Sequence, residues 1–251
     1  MIDTTGAILI LLAIACIFLL AGFVKGVIGM GLPTVAMGLL GAITHPAEAA
    51  ATLVIPSLVT NVWQLLAGPA FGALIARLWP MMVGICIGTW LGAGILTGEN
   101  SALASTLLGV ALLLYAVIGL FAKRFHVPAQ SERWLNLPIG IATGLVTGAT
   151  GVFVLPAVPY LQALKLEREE LIQALGLSFT VSTVAMAAAL WGEGAFQTRE
   201  ILASLLAVIP ALAGMFVGTW LRTRISAETF RRCFFIGLLL LGAHLALRGI
   251  L

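Results

Sequence analysis

Apolar blocks separated by turn residues and charges follow one another along almost the whole chain. They fall at about residues 6 to 31, 33 to 43, 47 to 67, 72 to 97, 102 to 122, 134 to 152, 154 to 164, 170 to 191, 199 to 221 and 229 to 248. A helix that spans a bilayer needs roughly 20 apolar residues, so six to ten crossings fit this pattern. Hydrophobic side chains make up 61% of the chain and charged ones 9%, against about 25% charged in soluble proteins. The sequence therefore predicts an all-α polytopic membrane protein whose main partner is the lipid bilayer. A formal charge of +3 would suggest nucleic acid in a soluble protein; in a membrane chain the basic residues set orientation, and no nucleic-acid partner is expected. Cys16, Cys86 and Cys233 are isolated, which gives no support to a disulfide or cluster site. His45, His126 and His244 form no i, i+4 pair, so neither a metal nor a cofactor is expected. Asp3 stands where a cleaved leader would carry basic residues, so the first apolar block reads as a membrane segment.

Two blocks are too short to cross. Residues 33 to 43 and 154 to 164 would give ~16 Å of helix, about half a hydrocarbon core. Each follows a glycine-rich break ending in proline. GFVKGVIGMGLP (Gly22 to Pro33) answers GLVTGATGVFVLP (Gly144 to Pro156), GTWLGAGI (Gly88 to Ile95) answers GTWLRTRI (Gly218 to Ile225), and both copies end in an apolar helix. The chain thus divides into repeats at 1–122 and 134–251, joined by a linker at 123–133.

The basic residues set the relation between the repeats. If each repeat made four full crossings, the chain's basic residues outside the membrane would split evenly, with Arg77, Lys123, Arg124, Arg133, Arg199 and Arg248 on one side and Lys165, Arg168, Arg222, Arg224, Arg231 and Arg232 on the other. If the first two segments of each repeat form a hairpin returning to its own side, followed by three spanning helices, the split changes. Arg77, Lys123, Arg124, Arg133, Lys165, Arg168, Arg222, Arg224, Arg231 and Arg232 then share one side, and Arg199 and Arg248 the other. That imbalance is the mark of a cytoplasmic face. The expectation is two inverted repeats, each opening with a Gly/Pro-broken helical hairpin, with a cytoplasmic linker and both termini outside the cytoplasm. Whether the hairpins are re-entrant or make two short crossings stays open.

Backbone leaves helical geometry at membrane depth only where protein or a water-filled cavity satisfies its polar groups. A break repeated in both halves therefore marks an internal site. Gly29, Gly31 and Gly151 permit positive φ, and Pro33 and Pro156 suit the first turn of a returning half-helix, whose free amides attract anions. The same glycines would also serve close helix packing. Lys25 is the one formal charge inside a predicted apolar core; such a charge is costly and points to function, or else to a lysine that reaches the interface or pairs with Glu48. Its counterpart is Thr147. Ser57, Thr60, Asn61 and Gln64 in the first half, and Ser178, Thr180, Ser182 and Thr183 in the second, can coordinate an oxyanion or bond back to their own helices. The expected substrate-binding set is Lys25, Gly26, Gly29, Met30, Gly31, Pro33, Asn61, Thr147, Gly148, Thr150, Gly151, Pro156, Ser178 and Ser182. Trp90 and Trp220 read as an aromatic belt, Trp63 as a cavity wall, and the Gly84, Gly88, Gly92 face as a surface for a homodimer or for packing within the chain.

At its paired glycine-proline breaks the sequence resembles the sulfite exporter TauE/SafE family of bacterial anion transporters, over essentially the whole chain. Family members commonly show a denser run near G-x-G-G-G before the proline; here Met30 interrupts the first copy, and Val152 and Phe153 replace glycines in the second. The resemblance implies an integral protein of the bacterial inner membrane that moves sulfite, sulfonates or related carboxylates, and it carries over to Gly26, Gly29, Gly31, Pro33, Gly148, Gly151 and Pro156. With no Walker A motif, the expected activity is secondary transport of a small anion by alternating access, coupled to protons, sodium or the substrate's own gradient. An anion channel and an integral membrane enzyme are the alternatives, and no catalytic residues converge to favour the latter.

Overall fold

A computed structural model describes residues 4–98, 100–121, 126–196, 198–222 and 224–248. These residues form ten helices and no strand: α1 Thr4–Ile28, α2 Leu32–Ile43, α3 Pro46–Leu66, α4 Phe71–Thr97, α5 Ser101–Phe121, α6 Ala129–Thr150, α7 Ala157–Gln162, α8 Arg168–Gly192, α9 Thr198–Leu221 and α10 Ala227–Arg248. Seven of them, α1, α3, α4, α5, α8, α9 and α10, are long and apolar enough to cross a membrane. Leu91, Ile209 and Leu240 are among the large apolar side chains left exposed on the outer surface, where lipid tails rather than water suit them.

The helices follow the ten apolar blocks, with two differences. The first five residues of α6 precede the block assigned at 134, because its polar opening turn hides helix from a hydrophobicity reading; residues 129–133 are helical and the connection between halves is correspondingly shorter. Lys123 and Arg124 of that connection, like Asp3 and the extreme ends of the chain, lie outside the described residues. α7 has six residues where the periodicity predicts 11. Val152, Phe153 and Val154 form no regular secondary structure and lie fully buried before it, taking up the stretch that pattern alone assigns to helix. The first break joins unequal arms: α1 has 25 residues, or roughly 37 Å, and α2 has 12.

Each half grips the other. α1 lies along α9 and α6 along α4, while α3 faces α8 and α5 faces α10. Glycines make the first two contacts. Gly22 and Gly26 of α1 sit on the backbone of Ala211, Met215 and Gly218, and Gly214 and Gly218 of α9 sit on Leu19 and Phe23. In the other pair, Gly140, Gly144 and Gly148 meet Met81, Ile85 and Thr89, and Gly84, Gly88 and Gly92 meet Leu137, Ile141 and Leu145. Residue numbers rise together in both pairs, so each is parallel; small residues at four-residue spacing let such backbones touch. The shared GTWL motif follows from this role. Gly88 and Gly218 pack on the partner helix, and Trp90 and Trp220 point outward, exposed. The face carrying Gly84, Gly88 and Gly92 is filled by α6 and is not available to a second copy of the chain. α3 and α8 run antiparallel, since Leu65 meets Gln173 while Asn61 reaches Thr183.

Polar ties fix the ends of these helices. Gln173 on α8 donates to Leu65 O (2.7 Å) and Gly68 O (3.0 Å) and accepts from Ala70 N (2.7 Å), closing the turn between α3 and α4. Gln173→Leu leaves those backbone groups without partners in a buried setting, so thermal unfolding in detergent is expected to show a loss of about 1–3 kcal/mol; an unchanged melting curve would mean that water or local rearrangement satisfies the turn. At the same end Arg77 holds Glu132 through two bonds (2.6 and 2.8 Å) and reaches Leu164 O, and Tyr160 on α7 donates to Asn136 (2.8 Å), which itself donates to Arg77 O. The starts of α4, α6, α8 and α10 therefore share one end of the molecule, with Arg77, Arg133, Lys165, Arg168, Arg222, Arg224, Arg231 and Arg232. Arg248, bonded to Ala42 O, and the start of α9 with Arg199 lie at the other.

Candidate functional site

α1 ends at the first break. Gly29 and Gly31 have φ of 79° and 104°, the left-handed region that a β-carbon disfavours. Gly31 precedes α2, and Pro33 occupies its first turn, where a missing amide costs nothing. Gly151, at φ 69°, ends α6 in the same way. Pro156 differs from expectation: it stands before α7 rather than inside its first turn. Because α7 is so short and follows a buried, non-helical segment, the second break does not offer a half-helix end matching that of α2.

Lys25 lies one turn before the break and is buried. Its ammonium donates to Asn61 Oδ1 and to Thr60 Oγ1, the latter at 3.2 Å. Asn61 in turn donates to Ser57 Oγ (3.3 Å) and Thr183 Oγ1 (3.5 Å). Gln64 donates to Gly29 O (3.1 Å) and Ile172 O (2.7 Å). Ser57, Thr60, Asn61 and Gln64 occupy successive turns of one face of α3, and that face joins the first break to α8. Lys25 is not paired with Glu48, which sits in the opening turn of α3 at its far end; among the described residues no carboxylate bonds to it. An ammonium has three donors, and two are used. A cavity of about 210 Å³ adjoins it, lined by Lys25, Gly29, Trp63 and Gln64 on one side and Glu169, Ile172 and Arg222 on the other.

The other expected site residues divide. Ser178 and Ser182 are buried on α8 with hydroxyls that have no partner among the described residues, as does Thr34 on α2. Thr147 and Thr150 donate to the carbonyls of Thr143 and Val146, and Thr150 also accepts from Val152 N, so both are engaged in their own helix. Gly26 and Gly148 are spent on packing against α9 and α4. Met30 faces elsewhere: its sulfur accepts from Tyr115 OH at 3.2 Å, and it borders a larger cavity of about 570 Å³ at the basic end. Gln64 and Thr60 join the cluster although the strongest sequence signal on α3 was Asn61; their i, i+3, i+4 spacing with Ser57 was the cue.

The described residues hold no group of three or more His, Cys, Asp and Glu that could bind a metal. The polar groups that meet at the break are the Lys25 ammonium, the amides of Asn61 and Gln64 and the hydroxyls of Ser57, Thr60 and Thr183, with Glu169 and Arg222 across the adjoining cavity. Ten helices, seven of spanning length, enclose these groups beside a broken helix: this is a polytopic membrane protein with an internal polar site. The chain belongs to the sulfite exporter TauE/SafE family, whose model matches residues 14–245; its members are membrane transporters rather than enzymes. No curated protein and no solved structure matches the chain.

Proposed function

We propose that the chain carries a small sulfur-containing oxyanion, sulfite or a comparable species, across the membrane by alternating access, with Lys25 at the binding point. The observation that carries this reading is a buried ammonium with a third donor free and no carboxylate bonded to it among the described residues, beside an adjoining cavity. Burying an isolated ammonium is costly, and an anion supplies the missing charge. Asn61 and Thr60 aim the ammonium, Gln64 ties the break to α8, and Ser178 and Ser182 offer hydroxyl donors from the second half. Gly29, Gly31 and Pro33 keep the backbone open there.

Two inverted halves support alternating access, because such repeats exchange conformations around a fixed site. The opposite directions of α3 and α8, and the exchanged pairing of α1 with α9 and α6 with α4, accord with that relation. By the distribution of positive charge, the end bearing Arg77, Arg168 and Arg231 faces the cytoplasm of a bacterial inner membrane and both termini face away from it. Movement is driven by a proton or sodium gradient, or by that of the anion.

Counterflow in proteoliposomes tests the reading. Labelled sulfite outside is expected to accumulate transiently when unlabelled sulfite is trapped inside, with a saturable rate, and imposed proton or sodium gradients then identify the coupling ion. Uptake that ignores the trapped anion and does not saturate would establish a channel instead.

A further inference from the structure

The larger cavity, about 570 Å³, lies at the basic end between α1, α5, α7, α8 and α10. Three guanidiniums border it, from different parts of the chain: Arg168 opens α8, Arg222 follows α9 and Arg231 lies in the first turns of α10. Arg231 is already shared with Glu228 at 3.4 Å, and Glu228 also holds Arg232 at 3.1 Å. The side chains of Arg168 and Arg222 have no hydrogen-bond or ion-pair partner among the described residues. They stand close enough for Arg168 to join burial in lowering the Arg222 pKa below its ordinary value, with Glu169 opposing. Glu169 offsets this repulsion only in part, since the Arg222 pKa stays below its ordinary value, and two like charges that converge on one cavity are an unfavourable arrangement that a bound anion would relieve. Behind them the wall is apolar, with Ile118, Leu175 and Phe235. A bare inorganic oxyanion has no use for that wall. The volume falls in the range of pockets that enclose organic ligands, roughly 300–1,000 Å³.

We propose that this vestibule is a second anion site, separate from Lys25, in which Arg168 and Arg222 hold the charged head of an organic anion and the apolar wall receives its body. Arg222 also borders the smaller cavity beside Lys25, so one guanidinium touches both compartments and can pass an anionic head from one to the other. Glu228 keeps Arg231 from closing on the same head. The inference rests on the reading of the chain as an anion carrier, and it adds where the anion is first captured and what shape of anion is favoured.

Calorimetric titration of the full-length protein in detergent tests it, with benzenesulfonate as the anion and benzenesulfonamide as its neutral twin. Benzenesulfonate is expected to bind at least roughly tenfold more tightly than the sulfonamide. The double variant Arg168→Gln, Arg222→Gln is expected to lose at least roughly tenfold in benzenesulfonate affinity with its melting curve unchanged, while Lys25→Met retains most of it. Equal binding of the two probes would overturn the proposal, leaving an apolar pocket only. Wild-type affinity in the arginine double variant would overturn it too, as would an anionic phospholipid that copurifies with the wild type and is lost in that variant, since the guanidiniums would then serve lipid. Sulfite counterflow without benzenesulfonate binding would remove the vestibule and leave the transport reading standing; loss of both would remove the two together.

Discussion

Lys25→Met is expected to abolish sulfite counterflow and to weaken sulfite binding by a hundredfold or more while the protein remains folded. The two halves of that expectation have different origins. A charge pair shielded from water by α3, α8 and α9 is worth several kcal/mol in affinity, and about 3 kcal/mol corresponds to roughly a hundredfold in Kd. Removing the ammonium also removes its desolvation penalty, which no bonded carboxylate among the described residues offsets. Against this, Asn61 Oδ1 loses its donor, a cost of about 1–3 kcal/mol, whereas Thr60 still donates to Pro56 O at 2.8 Å. The two contributions are of similar size, so the melting temperature is expected to move little. Methionine keeps the length and the apolar stem of lysine, and opens no cavity. Titration with sulfite and melting curves on the same preparation separate the outcomes. A variant that unfolds would make Lys25 a structural cation, and one that binds sulfite as well as the wild type would take it out of the site. Asn61→Leu provides a graded companion: the ammonium stays but loses its main positioning partner, so affinity is expected to fall less than in Lys25→Met.

The break at Gly29 and Gly31 was legible from sequence because it is a local matter. Left-handed backbone, a proline in the following turn and an unmatched lysine all lie within nine residues, and the repeat doubled the signal. The ten helical blocks were legible for the same reason, since in a bilayer apolar length alone sets a helix. What could not be read was partner choice. Gly26 and Gly29 look alike in a G-x-x-G pattern, yet Gly26 packs on Met215 and Gly218 while Gly29 bends the chain. That distinction depends on α9, nearly 190 residues away. The second break misled for a related reason: proline at the same offset suggested the same half-helix, but Val152, Phe153 and Val154 are buried as non-helical chain, which only the surrounding helices decide. The polar network of Arg77, Glu132, Asn136 and Tyr160 was invisible too, because each of these residues is unremarkable alone. It also makes the halves unequal. The positions that the repeat pairs with Glu132, Tyr160 and Arg77 are Ile10, Met37 and Ala207, none of which can repeat this network, so the polar bonds that hold the second hairpin to α4 have no counterpart at these positions of the first.

Gly148→Leu is expected to prevent stable folding, and it decides between two uses of the repeated glycines. A β-carbon at Gly148 would stand on the backbone of Thr89, and 2.8 Å from Ala93 N and 2.9 Å from Gly92 C. Backbone atoms cannot turn aside as a side-chain tip can, so α6 and α4 must separate along their whole parallel contact. Overpacking of a core typically costs 1–3 kcal/mol, and a contact that no rotamer relieves belongs at or above the top of that range, roughly 3 kcal/mol or more. Loss of monodisperse protein on size exclusion, or a collapse of the melting transition, is the expected readout. The control lies on α4, where Gly94 has no heavy atom within 4 Å of its would-be β-carbon. Gly94→Ala removes a weak helix former from an open face and is expected to stabilise by up to about 1 kcal/mol. If Gly148→Leu instead folds and melts like the wild type but no longer binds sulfite, Gly148 acts at the anion site and the glycine seam between α4 and α6 is not what holds the halves together. If both variants behave as expected, glycine spacing in this chain encodes contact between the halves, and only the glycines with positive φ mark the break beside Lys25.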